Sequence, residues 1–546
     1  MTAFDADVLV VGGGVGGVAA ALAAADAGAT VVLTEPTRWI GGQLTSQAVP
    51  PDEHPWIERF GATASYRRFR TAVRDHYRQH CPLSQRARVS VHLNPGSGAV
   101  SALCHEPRVA LAVLREMLSP HEASGRLRVI TGLVPDEVER DGPRVRAVRF
   151  ADGTGQARWF TAAYVLDATE TGDLLPLARV PYVTGTESQR ETGEPGAPEH
   201  GDPQMMQGFT VCFAMDHLDG EDHTIDKPEQ YGRWTAPDAP VRAAPQVGWP
   251  RPAADDEERR RRVLRPNPDP ATDAGVIVSA SHRGRFGDNG AYVATEDIWR
   301  FRRLIARGNF DPAPPSDITL VNCSANDYID GSIVDVAPEV AAANIEAARQ
   351  LSLSFFYWLQ TEAPRADGGT GFPGLRLRGD VTGTPDGLAM APYIREGRRL
   401  RALHTITQND IAQSVRGDRG VRRYRDSVGV GSYKIDLHPS TKGGDRRYDP
   451  AWPFEIPLGA LLSGDVDNLV AAAKNIGTTH ITNGCYRVHP VEWNIGEAAG
   501  ALAAFCVEQR VSPVAVRDTD ALREDFQKYL VARGVELSWP PDVRPY

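Results

Sequence analysis

The sequence is poor in cysteine and lysine and lacks long apolar runs. No two of its six cysteines stand in a CxxC or similar pair, so their spacing predicts no disulfide framework, zinc site or dithiol redox centre. No apolar run approaches the roughly 20 residues of a membrane-spanning helix. Only five lysines occur and the net charge is −10, which gives no electrostatic case for nucleic-acid binding.

We expect no targeting segment at the start of the chain. The first apolar segment begins at Val8, which leaves no room for a signal peptide, and we therefore expect a cytoplasmic protein. The length of 546 residues suffices for two or three domains with a large core. We see no cluster of residues with metal-ligand spacing, and we expect no metal.

A strand–helix–strand pattern opens the chain. Val8–Val11 and Thr30–Thr34 are short apolar runs typical of buried strands. The alanine-rich segment Val15–Ala27 between them is typical of a helix, which Gly28 ends. This order predicts a βαβ unit, the building block of a parallel sheet.

The first turn of this unit has the spacing GxGxxG. Gly12 allows the tight turn, Gly14 lets the backbone approach a pyrophosphate, and Gly17 lets helix and strand pack closely. The helix N-terminus presents unpaired N–H groups and a positive dipole end to phosphate. Glu35 ends the second strand, where an acid accepts a hydrogen bond from a ribose hydroxyl. The pattern predicts a bound dinucleotide.

Three further apolar segments indicate a β-meander, after which the composition changes. Arg128–Val134, Arg144–Phe150 and Ala157–Thr169 are typical of strands, and Asp-Gly pairs mark turns between them. From about Gly185 onward, glycine, proline, charged and aromatic residues mix. The charged run at 257–262 is predicted to face solvent.

Several segments carry a resemblance to a known family. They are the Gly41-Gly42 loop, NPGSGAVSALCHEP, DATETGDLLPLARVPYVTG, YIREGRRL, DSVGVGSYKIDLHP, NLVAAAKNIG and NGCYRVHPVEWNIGEAAG. With the glycine turn, they resemble the FAD-dependent oxidoreductases of the glutathione-reductase-like flavoprotein superfamily. More narrowly, they resemble a bacterial family in which many substrates are unassigned. The segments recur over nearly the whole chain.

The resemblance implies the cofactor and the architecture. We expect an α/β fold with a Rossmann-like FAD-binding domain that carries the β-meander, and an inserted α+β substrate domain. The expected divisions are the first part of the FAD-binding domain at 1–185, the substrate or cap domain at 186–445, the C-terminal part of the FAD-binding domain at 446–515, and a tail at 516–546.

The resemblance also implies cofactor contacts for individual residues. These are Gly12, Gly14 and Gly17 at the pyrophosphate; Glu35 at the ribose; Arg38, Gly41, Gly42 and Gln43 along the phosphate, ribityl chain and flavin ring; Val134 at adenine through its backbone; Ala168 and Thr169 near the cofactor; and Asn494, Ile495 and Gly496 near the start of the last long helix. The resemblance implies that the N-terminal dipole of that helix would stabilise negative charge on the reduced flavin, and ordinary core packing is the alternative for the helix. The family's Ala-Thr-Gly motif is interrupted here, since Glu170 and Thr171 precede the glycine.

A flavin transfers hydride or activates oxygen. The sequence lacks a second dinucleotide turn and a cysteine pair, and these two absences reduce the number of reactions that the flavin could carry out here. SVGVGSY (Ser427–Tyr433) follows charged residues rather than a buried strand, so no second dinucleotide domain for NAD(P)H is predicted. Without a cysteine pair, disulfide reduction is excluded. We therefore expect hydride removal from a small organic substrate, with electrons passed to oxygen or another acceptor.

Hydride removal from carbon next to oxygen or nitrogen needs a nearby base. His480 and His489 flank the segment before the last long helix and are the first candidates for it. Tyr433 and His438 lie in YKIDLH, where Asp436 and His438 would share one face of a strand. For all of these residues, a structural hydrogen-bond role remains open.

Arginines are the candidates for holding an anionic group. Arg395 and Arg487 are candidates to hold a substrate carboxylate or the flavin O2 atom, and a buried ion pair is the alternative for each.

Two other functions remain open. A flavin-dependent monooxygenase would consume NAD(P)H and insert oxygen, and such enzymes can lack an NADPH domain. A non-catalytic protein would keep FAD as a structural element. The titratable residues grouped near the expected flavin argue against the second alternative.

Overall fold

The structure is a computed structural model that describes residues 4–153, 155–236, 245–249, 264–270, 297–444 and 446–546. The charged run at 257–262 lies outside these residues. The strands are β1 (Phe4–Val11), β2 (Val31–Glu35), β3 (Leu127–Thr131), β4 (Leu133–Asp141), β5 (Arg144–Asp152), β6 (Ala157–Asp167), β7 (Tyr182–Val183), β8 (Phe209–Thr210), β9 (Phe213–His217), β10 (Arg303–Ile305), β11 (Ile318–Val321), β12 (Asp327–Tyr328), β13 (Leu375–Leu377), β14 (Arg399–Leu400), β15 (Ser427–Gly431), β16 (Ile435–Leu437), β17 (Arg447–Asp449), β18 (Phe454–Pro457) and β19 (Leu469–Ala471).

Most of the described helices are short, and the two longest have 24 and 21 residues. They are α1 (Val15–Asp26), α2 (Ala64–His80), α3 (Gln85–Val89), α4 (Pro107–Ala123), α5 (Leu174–Leu177), α6 (Gln189–Thr192), α7 (Tyr231–Thr235), α8 (Ile298–Phe301), α9 (Pro338–Thr361), α10 (Gly379–Thr382), α11 (Gln408–Ile411), α12 (Gln413–Arg416), α13 (His480–Tyr486), α14 (His489–Gln509), α15 (Pro513–Asp518) and α16 (Asp520–Ala532). Among the helices described, none is long and apolar enough to cross a membrane.

A seven-stranded sheet forms the centre of the fold and confirms the α/β prediction. Its order is β3-β2-β1-β6-β5-β4, and β19 also pairs with β6. The strands β3, β2, β1, β6 and β19 run parallel to one another. In the meander, β5 pairs antiparallel with β6, and β4 pairs antiparallel with β5. The first half of β6 pairs with the meander and its last three residues pair with β19. The meander and the C-terminal segment therefore share one edge of β6.

One predicted strand is divided in two. The run Arg128–Val134 contains the end of β3 and the start of β4, which Gly132 separates. Gly132 has a φ of +77°, a left-handed conformation that glycine adopts without strain. β3 belongs to the parallel part of the sheet because Val31 of β2 pairs with Leu127. The apolar pattern continues across the turn, so the sequence predicted a single strand there.

A second hydrophobic cluster lies outside the main core. A four-stranded antiparallel sheet, in the order β10-β11-β9-β13, contributes to it together with helix α9. Its largest fully buried side chains are Trp234 and Trp299, and Phe355 and Phe356 of α9 are also fully buried. The aromatic end of α9 therefore contributes to this second cluster.

Helices α1 and α14 touch through their backbones. A Cβ atom on Gly496 would lie 1.9 Å from the carbonyl oxygen of Gly16, and one on Gly500 would lie 2.1 Å from that of Ala20. Real Cβ atoms do not approach another atom so closely. Glycine at these positions is therefore needed to hold the C-terminal helix directly against the N-terminal βαβ unit.

We expect Gly500→Ala to lower the free energy of unfolding by about 3 kcal/mol, because the added methyl group must push the two helices apart. Chemical denaturation of the variant measures this loss. The matched control is Gly232→Ala, whose added Cβ would meet no atom within 4 Å and should change stability by less than about 1 kcal/mol. Equal stability of the two variants would contradict the close contact.

Candidate functional site

A cavity of about 230 Å³ lies at the carboxyl ends of the central parallel strands. Gly12 follows β1, Glu35 ends β2 and Ala168 follows β6, so the strand order brings these three residues to one edge. Crevices at this edge are the usual ligand sites of such sheets. The predicted cofactor residues that line the cavity are Gly12, Gly14, Glu35, Gly42, Val134, Ala168 and Thr169.

The three glycines of the first turn have different surroundings. Gly12 has a φ of +98°, and a Cβ there would lie 2.3 Å from the carbonyl oxygen of Ala168. A Cβ on Gly17 would lie 1.9 Å from the carbonyl oxygen of Gly12, so this glycine allows the helix to pack on the turn. Gly14 instead faces the cavity, where its nearest neighbour is the flexible carboxylate of Glu170.

Glu170 occupies the space between two glycine-rich loops. Its Oε1 atom would lie 2.7 Å from a Cβ on Gly14 and 2.5 Å from one on Gly42. The other oxygen forms an ion pair with Lys474, whose ammonium group also lies 3.3 Å from Glu492. A pyrophosphate that approached Gly14 would meet this carboxylate, so the Glu170 side chain must turn away for phosphate to bind there.

Gln43 joins this network from the second loop. Its amide donates to Oε2 of Glu492 at 3.0 Å and to the carbonyl oxygen of Arg487 at 3.1 Å. Burial raises the pKa of Glu492 to about 7, although Lys474 opposes the rise. Lys474, Glu170 and Glu492 were not predicted as site residues.

Glu35 is buried and bonded to the backbone of the turn. Its two oxygens accept hydrogen bonds from the N–H groups of Gly13, at 3.0 Å, and Thr37, at 2.8 Å. Burial raises the pKa of Glu35 to about 7 even though these bonds favour the charged form. Its bond to a ribose remains a prediction.

Other predicted cofactor residues lie around the cavity without lining it. Arg38 is exposed and donates to the carbonyl oxygen of Gly383 at 2.7 Å. Gly41 adopts a φ of +106° and donates its N–H to the carbonyl oxygen of Gly13 at 2.7 Å. This bond fixes the Gly41-Gly42 loop against the first glycine turn.

The three residues predicted on the last long helix are fully buried in packing contacts. The side chain of Asn494 accepts a hydrogen bond from the N–H of Val430, and Gly496 lies against Gly16. Ile495 belongs to the main core. These contacts attach α14 to β15 and to α1, and none of the three residues lines the described cavity.

A second, buried group of charged side chains lies beside Gln43. The structure brings together four of the predicted catalytic residues, which are His489, Tyr433, His438 and Arg395. They share it with residues that the sequence did not single out, namely Asp52, Arg302, Asp327, Tyr393 and Arg446. We call the whole group the basic cluster. Its members are Asp52, Arg302, Asp327, Tyr393, Arg395, Tyr433, Asp436, His438, Arg446, Arg487 and His489.

Short contacts hold the basic cluster together. The ring of His438 bonds Asp327 through Nδ1 at 2.5 Å, and Asp327 pairs with Arg395 at 2.9 Å. Nδ1 of His489 accepts from the N–H of Asp52 at 3.1 Å. Burial lowers the pKa of both His438 and His489 to about 3, so both imidazoles are neutral near pH 7.

His480 is not part of the basic cluster. Its Nδ1 atom bonds Glu396 at 3.0 Å, and Glu396 also forms a buried ion pair with Arg399. Gln207 stands between the two groups, since it bonds Glu396 on one side and the N–H of His438 on the other. The contacts of His480 in the structure are those of a buried ion-pair network.

The residues that the sequence analysis missed carry no local signal. Asp52 and Arg302 are 250 positions apart, and Lys474 and Glu170 are 304 positions apart. Only the alternation of Asp436, in β16, and His438, directly after that strand, was visible as a pattern, and both residues do belong to the basic cluster.

The raised pKa of Glu35 predicts how stability varies with pH. The contribution of a carboxyl with a raised pKa is fully present below pH 4.5 and is lost as pH rises through about 7. We expect FAD-free protein to lose up to about 3 kcal/mol between pH 5 and 8 through this residue. Glu35→Gln should flatten this part of the curve in denaturation experiments. Glu524→Gln, at an exposed position of α16, should not, and an equal flattening there would refute the assignment.

Comparison with known proteins identifies the family. The family model described as FAD dependent oxidoreductase matches residues 7–530. No match was found among curated proteins.

Similar solved structures cover only part of the fold. The anhydrotetracycline hydroxylase OxyS from Streptomyces rimosus is 14% identical, covering 40% of this chain and 39% of that one, with a TM-score of 0.23. The p-nitrophenol 4-monooxygenase PnpA from Pseudomonas putida DLL-E4 is 16% identical over 40% and 48%, with a TM-score of 0.23. A geranylgeranyl bacteriochlorophyll reductase-like protein from Thermoplasma acidophilum is 16% identical over 40% and 49%, with a TM-score of 0.25.

The chain spans less than half the length of these three structures, and no functional conclusion follows from them. The family model, in contrast, covers nearly all of the sequence. The chain therefore belongs to the FAD-dependent oxidoreductase family, and its cofactor is FAD.

Proposed function

We propose that the protein is an FAD-dependent dehydrogenase or oxidase that removes a hydride from a small organic substrate and passes the electrons to oxygen or another acceptor. The observation that supports this function is the direct contact between the cofactor loop and the basic cluster. Gln43, in the loop expected along the flavin, donates to the carbonyl oxygen of Arg487, a member of that cluster. Titratable groups so placed are typical of catalysis rather than of structural cofactor binding.

The residues at the cavity fit the dinucleotide part of FAD. Gly14 and Gly42 leave space that a Cβ would fill, Gly12 and Gly41 hold the two loops in left-handed conformations, and Glu35 lies at the end of β2. We propose that these residues, with Gln43, hold the cofactor. When bound, FAD supplies the site that accepts a hydride and later gives up its electrons.

The chain's own groups would bind and orient the substrate. His489 is buried and neutral, and its Nδ1 atom accepts a hydrogen bond from the N–H of Asp52, so the ring proton lies on Nε2. Nε2 has no hydrogen-bond partner in the described part of the chain and is available to donate to a bound substrate. Tyr393 and Tyr433 place two further buried hydroxyls in the cluster. We propose that residues 186–445, which contribute the second hydrophobic core and several members of the basic cluster, form the substrate side of the site.

The superfamily and the type of reaction can also be proposed from these elements of the fold. We propose the glutathione-reductase-like superfamily because the glycine turn, Glu35 and the sheet order occur together. We propose direct substrate oxidation, with NAD(P)H-driven monooxygenation as the alternative. β15 leads into a second strand, β16, instead of a helix, which argues against a dedicated NAD(P)H domain. The glycines of Ser427–Gly431 therefore do not form a second dinucleotide turn in the described structure.

We expect Gly14→Ala to weaken FAD binding at least tenfold, which corresponds to about 1.4 kcal/mol. The added methyl group would project into the cavity where the pyrophosphate must approach, while the side chain it meets first, Glu170, is flexible. Titration of FAD-free protein with FAD measures the affinity, and its thermal midpoint should change little. Gly153→Ala, at an open turn, serves as the control. Unchanged affinity in Gly14→Ala would contradict the placement of the cofactor.

We expect the flavin absorbance of the purified protein to remain when NADPH and then NADH are added without oxygen. A screen of small organic metabolites should identify a compound that bleaches it, and air should restore it in an oxidase. Rapid bleaching by either nicotinamide would instead favour the monooxygenase. A bound flavin that no small molecule reduces would favour a non-catalytic role.

A further inference from the structure

The basic cluster contains one more arginine than its carboxylates neutralise. Three arginines have a carboxylate partner each. Arg302 pairs with Asp52 at 3.4 Å, Arg395 with Asp327 at 2.9 Å and Arg446 with Asp436 at 3.1 Å. All of these side chains are buried except that of Arg446, which is one-third exposed.

Arg487 is the fourth arginine and has no carboxylate of its own. It donates to the main-chain oxygen of Asp436 at 3.0 Å, and its guanidinium is 4.0 Å from the Asp436 carboxylate. That carboxylate already accepts two hydrogen bonds from Arg446. Arg487 is only 3% exposed, so water does not compensate its charge.

Three guanidinium groups in the cluster also have a buried nitrogen that makes no hydrogen bond within the described residues. Within the described residues, the Nε atoms of Arg302, Arg395 and Arg487 are buried and have no hydrogen-bond partner. Buried donors without a partner are rare in proteins and usually mark the place of a ligand or water. Arg399 provides a contrast, because its three nitrogens bond Thr478, Glu396 and both the main-chain oxygen of Gly185 and Glu187.

The other titratable groups do not remove the excess charge. Asp327 and Asp436 are ionised, because the neighbouring arginines hold the pKa of each below its usual value against the effect of burial. The two histidines are neutral and add no charge. Among the described side chains of the cluster, four guanidinium groups therefore face three carboxylates.

We propose that the basic cluster binds the carboxylate of a small carboxylic acid, with Arg487 as the principal ligand and Arg302 and Arg395 beside it. This inference rests on the proposed function and names its substrate class. A guanidinium presents parallel N–H donors that match the two oxygens of a carboxylate, and an anion supplies the missing fourth negative charge. Since the carbonyl oxygen of Arg487 bonds Gln43, the bound acid would lie next to the flavin loop.

The position of His489 agrees with this substrate class. It adjoins Asp52 and therefore the Arg302 side of the cluster. A carboxylate bound between the arginines would offset their charge near the imidazole, which favours protonation. The same anion would thus anchor the substrate and raise the pKa of His489.

Matched probes test the proposal on FAD-loaded protein. Acetate and benzoate are titrated against their neutral counterparts acetamide and benzamide. The flavin difference spectrum and the thermal midpoint are the two measurements. We expect at least one carboxylate to bind at least tenfold more tightly than its amide and to raise the thermal midpoint. Equal affinity of acid and amide, or binding of neither acid, would overturn the proposal.

Variants identify the residue that recognises the charge. Arg487→Met should weaken binding of the carboxylate at least tenfold and leave that of the amide unchanged, whereas Arg487→Lys should restore part of the loss. The control is Arg376→Met, which also removes one positive charge but from a partly exposed pair with Asp216, and it should bind the carboxylate normally. If Arg487→Met does not fold, the Lys variant and Arg302→Lys carry the test, because both keep the charge but lose the planar fork. Normal carboxylate binding in every folded variant would refute the role of these arginines.

The outcomes separate the two proposals. A protein that retains FAD and is reduced by a neutral metabolite, but binds no carboxylate, would leave the proposed function intact and overturn the inference. A protein that never takes up FAD would overturn the proposed function. The thermal midpoint with acetate and benzoate would then still show whether the arginines bind a carboxylate.

Discussion

The backbone contact between α1 and α14 is the constraint on which both parts of the site depend. Gly16, Gly496 and Gly500 allow the N-terminal and C-terminal segments to approach within the distance of bare backbones. α1 begins at the first glycine turn, and α14 begins just after Arg487. Fixing one helix against the other therefore fixes Gln43 against Arg487 and Glu492. Without this contact, the cofactor loop and the basic cluster would have no defined relation.

Buried charge is the second constraint. The Lys474 network and the basic cluster differ in how their buried charges are balanced. In the Lys474 network one ammonium group faces two carboxylates, and burial raises the pKa of Glu492 to about 7. In the basic cluster the cations outnumber the anions. Uncompensated charge inside a protein costs free energy, so a structure retains it where a ligand or reaction uses it. The imbalance is thus stronger evidence for a site than the presence of any one residue type.

The sequence predicted what depends on neighbouring positions. The glycine turn, α1 and β2 follow from local patterns, and the structure has them within a few residues of the predicted bounds. Half of the predicted cofactor residues line the cavity, because the carboxyl ends of parallel strands lie at the same edge of a sheet. The pairs Asp52–Arg302 and Glu170–Lys474 join residues hundreds of positions apart, and no spacing rule links them. For the same reason His480 and His489 looked equivalent in sequence, although they lie in different networks.

Glu170 shows how buried charge acts at the proposed cofactor site. Its carboxylate lies over Gly14 and Gly42, the two positions where a Cβ is missing, and Lys474 holds it there. A pyrophosphate carries the same sign of charge and cannot share this space with it. If phosphate displaces Glu170, Lys474 keeps Glu492 as a partner, so the lysine is not left uncompensated when the acid leaves. Because Glu492 remains as the partner of Lys474, the Glu170 side chain can move away. An acid can therefore stand at the position where the motif that this sequence resembles has a glycine.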